Sequence, residues 1–65
     1  MKTEQILKTT IETRLNKLVN FVKASDGANL LYTAKINDLT VANVYKSYDE
    51  NFNVITLIKY NNEAL

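Results

Sequence analysis

The sequence predicts a two-layer α+β domain: one long N-terminal helix packed on a three-stranded antiparallel meander sheet (αβββ, strand order 1-2-3). Three observations lead there. Apolar residues recur at helical spacing up to about residue 24, the period changes to two after Gly27, and two turn signals, "ND" and "DEN", divide the second half into segments of strand length.

The helix is expected from Thr3 to Ala24. At about 100° per residue, Leu7, Ile11, Leu15, Leu18 and Val22 form one apolar stripe with Val19 at its edge. Thr3 suits the N-cap, and Glu4 suits the positive end of the helix dipole. Lys23 falls in the last turn, and "SDG" at 25–27 supplies a stop, with Gly27 free to take a left-handed conformation. Ile6 and Phe21 fall off the stripe, and Phe21 is expected to pack at the sheet edge.

Strands are expected at 29–36, 39–48 and 52–60, rich in β-branched and aromatic residues and free of Pro. Asn37 and Asp38 tolerate positive φ and form a two-residue hairpin turn. That turn sets Ile36 opposite Leu39, Ala34 opposite Val41, Tyr32 opposite Asn43 and Leu30 opposite Tyr45. A two-residue second turn at Asp49–Glu50 would pair Ser47 with Phe52, Tyr45 with Val54, Val41 with Ile58 and Leu39 with Tyr60. In this register the helix covers Leu30, Tyr32, Ala34, Ile36, Leu39, Val41, Tyr45, Phe52, Val54, Ile58 and Tyr60. A three-residue second turn would instead reverse the faces of the last strand.

The opposite face then carries Leu31, Ala42, Val44, Ile55 and Leu57, rimmed by Thr33, Lys35, Thr40, Lys46, Tyr48, Asn53 and Lys59. A sheet face open to water is normally polar. An apolar island inside a polar rim is the pattern of a contact surface. Leu31, Ala42, Val44, Tyr48, Ile55 and Leu57 are therefore the candidate partner or dimer interface.

Composition narrows the function. A 65-residue chain makes one small domain, expected over 1–65, and a domain of that size buries only about 60% of the surface its unfolded form exposes. Small domains compensate with disulfides, a metal or self-association. With no Cys and no His, disulfides and the usual zinc ligand sets drop out, so a homodimer is expected. The same absence removes Ser–His and Cys–His catalytic pairs. Glu4, Glu12, Asp26, Asp38, Asp49, Glu50 and Glu63 read as solvated charges on helix, caps, turns and tail. One Gly cannot build a phosphate-cradling loop. "DENFNV" at 49–54 opens like a calcium loop, but Val54 and Tyr60 stand where Gly and a bidentate acid are required. The hairpin turn accounts better for Asp49, Asn51 and Asn53. No enzyme, cofactor or metal is expected.

The net charge of +1 argues against a nucleic-acid or lipid field. Lys35, Lys46 and Lys59, with Tyr48 beside them, give a nucleic-acid surface as the alternative. No apolar run reaches the roughly 20 residues of a membrane span, and "MKTEQILKTT" lacks a signal-peptide core. The expectation is a cytoplasmic, non-enzymatic protein-interaction module that acts as a regulator or inhibitor by binding another macromolecule. The Lys-over-Arg and Asn-rich usage points to an AT-rich genome, and with the small size to a phage or mobile-element accessory protein.

Overall fold

The computed structural model describes residues 3–24 and 29–65. Helix α1 (Thr3–Leu15) is followed by strands β1 (Asn20–Lys23), β2 (Leu30–Ile36), β3 (Leu39–Tyr48) and β4 (Val54–Tyr60), and by a short 3-10 turn at Asn62–Ala64. The fold is α+β, with one helix against an antiparallel sheet, but the sheet has four strands in the order β1-β2-β3-β4. The additional strand comes from the second half of the expected helix. The expected stop at 25–27 lies outside the described residues.

The helix ends early for a local reason. Asn16 takes a left-handed conformation (φ 56°), and the Lys17 N–H then turns back to the Glu12 carbonyl at 3.3 Å. This is the backbone bonding of a Schellman cap, with Asn in the role usually filled by Gly. The Glu12 carboxylate adds a second tie by accepting the Val19 N–H at 3.0 Å. Glu12 is thus a structural hydrogen-bond acceptor and not simply a solvated charge.

Past Asn16, "LVNFV" follows period two. Val19 is buried and Phe21 packs against the core, while Leu18 is 84% exposed and Val22 also faces water. Leu18 and Val22 therefore leave the expected helical stripe. Phe21 does lie at the sheet edge, as a strand residue opposite Ala34. Its ring stacks on Tyr32 with centroids 4.8 Å apart.

The β2–β3 hairpin turns at Asn37 and Asp38, both at positive φ (52° and 67°), and Ile36 faces Leu39 as expected. Beyond that pair the ladder shifts twice. One irregularity between Ala34 and Lys35 pairs Ala34 with Ala42 and Tyr32 with Val44; a second, between Leu30 and Tyr32, restores Leu30 opposite Tyr45. The expected Ala34–Val41 and Tyr32–Asn43 pairs are thereby displaced by one residue. A one-residue shift exchanges the faces of a strand. Val41 and Ala42 are consequently both buried, and Val44 follows them inward with 0% exposure.

The second turn has three loop residues, Glu50 to Phe52. The Phe52 N–H closes a β-turn on the Asp49 carbonyl, and the Asp49 N–H donates to the Asn53 carbonyl, each at 3.0 Å. Phe52 is left-handed (φ 62°), the arrangement of a turn followed by a bulge. Tyr48 therefore pairs with Val54, Tyr45 with Leu57, Val44 with Ile58 and Ala42 with Tyr60. The shift in β3 and this longer turn together keep Ile58 and Tyr60 on the helix side. They carry Tyr45 to the outer face, and they leave Phe52 in solvent.

The core is small: Ile11, Val19, Ala34, Val41, Ala42 and Val44, with Leu7, Leu15, Phe21, Tyr32, Ile58 and Tyr60 among those packed around it. Ala34 and Ala42, paired in mid-sheet, have nothing beyond Cβ and leave a shallow seat for the fully buried Ile11. The Arg14 guanidinium sits 4.7 Å from the Tyr60 ring centroid, tying the end of the helix to β4. Asn61 closes the chain onto β3, its N–H bonding to the Val41 carbonyl at 2.8 Å and its Nδ2 to the Thr40 carbonyl at 3.1 Å.

So small a core predicts sharp sensitivity. Ile11→Ala is expected to cost about 2–5 kcal/mol, a large part of the few kcal/mol available to a domain of this size. Val44→Glu, which buries a charge without a partner, should abolish cooperative folding. Urea unfolding followed by circular dichroism measures both.

Candidate interaction surface

The six residues expected to form one interface divide between core, helix-side face and outer face. Ala42 and Val44 are in the core, because the β2–β3 shift turns them toward the helix. They are not contact residues. Tyr48 is in phase with them along β3, yet it is 52% exposed. The reason is length: a helix of 13 residues spans about 20 Å, whereas a strand of ten spans about 33 Å. The far end of the β3–β4 hairpin has no helix over it. Leu31 is half-buried in β2, at the second irregularity.

Ile55 and Leu57 do lie on the outer face, opposite Ser47 and Tyr45, and both stay partly exposed. Tyr45 is the outer-face aromatic that the expected register had placed under the helix. Val22 reaches the same face from β1, in one cross-strand row with Thr33, Asn43 and Lys59. Thr33 Oγ1 and Asn43 Oδ1 are hydrogen-bonded at 3.2 Å within that row. The outer face is therefore a band of Tyr45, Leu57 and Ile55 bordered by hydroxyls, amides and lysine.

The lysines do not share a face. Lys35 and Lys59 occupy outer positions, beside Asn20 and Asn43, whereas Lys46 is in phase with Val44 and Tyr48. Each of two lysines rests on a tyrosine, Lys46 on Tyr48 and Lys59 on Tyr45, with Nζ 5.6 Å from the ring centroid in both cases. These stems cover aromatic surface while their charges stay wet.

The tip of the β3–β4 hairpin carries a residue that the pattern of the sequence concealed. Phe52 is 85% exposed and left-handed, a conformation that suits Gly or Asn and is costly for a bulky side chain. The turn beneath it is held by Asp49, whose Oδ1 accepts the N–H groups of Asn51 (2.8 Å) and Asn53 (2.9 Å) and whose Oδ2 accepts Asn53 Nδ2 (3.2 Å). The "DEN" motif thus acts as an Asx-type turn. Exposed Tyr48 and Val54 pair across the strands just below it.

The described residues hold no group of three or more Asp, Glu, His or Cys placed to bind a metal ion, and no helix among them is long and apolar enough to cross a membrane. The depression between α1 and β2, lined by Lys8, Glu12, Asn20 and Lys35 among others, is wide open, and its Glu12 is already engaged by Val19. The chain matches no protein-family model, no curated protein and no solved structure.

The turn makes a pH prediction. Hydrogen bonds from Asn53, backbone first and then side chain, hold the Asp49 carboxyl below its ordinary 3.8, with the Asn51 N–H adding to them. A carboxyl lowered in the folded state stabilises the fold above its unfolded pKa, and that contribution is lost as pH falls through the folded value. Asp49→Ala should therefore melt lower than the parent at neutral pH. The gap should close as acid protonates Asp49, as followed by thermal melts down a pH series.

Proposed function

We propose that this chain is a small, non-enzymatic binding module that regulates or inhibits another protein through the β3–β4 hairpin, and that it works as a homodimer. The observation that carries the reading is Phe52: a large apolar side chain, 85% exposed, kept in a backbone conformation that disfavours it. Strain of this kind is retained at sites of function more often than at neutral ones. An exposed aromatic at a hairpin tip, with Tyr48, Val54 and Ile55 nearby, has the composition of an interface anchor. Drawing such a ring out of water contributes roughly 1.5–3 kcal/mol, and the strain that positions it is already offset in the folded state.

The chemistry of the chain supports binding over catalysis. It has neither His nor Cys, and among the described residues the carboxylates with side-chain hydrogen bonds, Glu12 and Asp49, are committed to the backbone of turns. A cytoplasmic accessory protein of a phage or mobile element with an AT-rich genome fits the size and the Lys- and Asn-rich composition. The nucleic-acid alternative is weaker, since Lys35 and Lys59 project away from Lys46.

Two measurements test this. Phe52→Gly should be at least as stable as the parent, because relief of roughly 1–2 kcal/mol of left-handed strain outweighs the roughly 0.5–1 kcal/mol of backbone entropy that Gly costs, while losing a partner that the parent captures from its host. A variant that is more stable and keeps every partner would remove Phe52 as the anchor. Binding to DNA or RNA should be weak and erased by physiological salt, with a log–log slope near 0.7 per phosphate contact on single strands. Submicromolar binding that falls when Lys35, Lys46 and Lys59 become Ala would reverse the ranking.

A further inference from the structure

Strand β4 is last in the sheet, and among the described residues one side of its backbone has no strand beside it. The register shows which groups that leaves free. Asn61 N–H bonds to the Val41 carbonyl and Asp49 N–H to the Asn53 carbonyl, so the odd-numbered residues from 53 to 61 turn their backbone groups toward β3. Bonded and non-bonded pairs alternate in an antiparallel ladder. Val54, Thr56, Ile58 and Tyr60 therefore aim both N–H and C=O away from it. Among the described residues, none of the turn, loop or side-chain hydrogen bonds reaches those groups.

The strand also carries little edge protection, a single lysine. "VITLIKY" contains no Pro, no Gly and one charge. That charge, on Lys59, is turned onto the Tyr45 ring of the outer face. At the opposite edge, β1 has only four residues.

We infer that two copies of this chain pair antiparallel along β4, about a two-fold axis at Leu57, into one continuous sheet. The inference rests on the homodimeric part of the function proposed above, and it leaves the Phe52 tip for the other partner. Centring on Leu57 gives every outward residue a counterpart: Val54 meets Tyr60 of the second copy, and Thr56 meets Ile58. Centring on Thr56 or Ile58 leaves one of the four without a strand partner. The same register sets Leu57 against Leu57 and Ile55 against Lys59 on the outer face, so apolar side chains meet and no like charges do.

The two ends of β4 are unlike, and antiparallel pairing uses the difference. Arg14 of the helix covers Tyr60, while Val54 is left 62% exposed. Pairing brings the bare end of each copy beside the covered end of the other.

Because the chain has no Cys, an introduced one reports directly. In a non-bonded antiparallel pair the Cα atoms lie about 4.5 Å apart, within the span of about 4.4–6.8 Å that a disulfide bridges. Leu57→Cys should form a covalent dimer under mild oxidation, and Thr40→Cys, in β3 and one strand in from the edge, should not. Leu57→Glu and Leu57→Lys should each be a folded monomer, and mixing them should restore a dimer of one of each. Thr56→Pro, which removes an outward N–H where an edge strand tolerates Pro, should also be a folded monomer. Light scattering and circular dichroism read these outcomes. A dimeric parent whose Leu57→Cys variant forms no cross-link, and whose Glu and Lys variants restore no mixed dimer, overturns the edge pairing and leaves self-association standing. A monomeric parent overturns both, while partner capture by Phe52 is judged separately. If Thr56→Pro unfolds, the Glu/Lys mixture decides.

Discussion

The β2–β3 ladder sets the rest of this structure through a single added residue. Val41 enters β3 between the pairs Lys35–Thr40 and Ala34–Ala42, as the extra residue of a bulge. Because the side-chain period of a strand is two, everything after it in β3 changes face. Ala42 and Val44 become the floor on which Ile11 rests, and Tyr45 becomes an outer-face aromatic. Strand β4 inherits the result through its own pairing. The compensating residue in β2 at Leu31 returns the register at the open end of the hairpin, so the bulges twist the sheet without lengthening one side.

The helix is held by equally local chemistry. A left-handed Asn16, the Lys17–Glu12 backbone bond and the Glu12–Val19 side-chain bond convert a helix into a strand within four residues. The chain obtains a fourth strand and a more complete sheet, and the helix is shorter for it. That helix covers one end of the sheet only. The other end, the distal β3–β4 hairpin, carries exposed Tyr48, Phe52, Val54 and Ile55. Core size and exposed surface are thus two sides of one constraint: about 60 residues cannot cover a four-stranded sheet on both faces.

Within the hairpin tip, order and strain sit side by side. Asp49 gathers three donors in one turn and fixes the loop firmly enough to keep Phe52 left-handed. Tight anchoring of this kind is what allows an unfavourable conformation to persist. It fixes the backbone from which the Phe52 side chain projects into solvent.

How much of this was legible in the residues differs by element. Local patterns were enough for the α+β class, the Asn37–Asp38 turn with its Ile36–Leu39 pair, and the separation of β2, β3 and β4. Each is specified within a few neighbouring residues, by turn dihedrals or by β-branched alternation. They also placed Ile55 and Leu57 on the outer face. The end of the helix depended on packing, because Leu18, Val19 and Val22 fit a helical stripe while Val19 and Phe21 fit the inner face of a strand, and pairing with β2 chooses between them. The bulges and the three-residue turn depended on it too, since a one-residue slip leaves local propensity unchanged and alters only which side chains meet the helix. Val44 and Phe52 changed places for that reason: Val44, expected at the surface, fills the core, and Phe52, expected beneath the helix, stands in water.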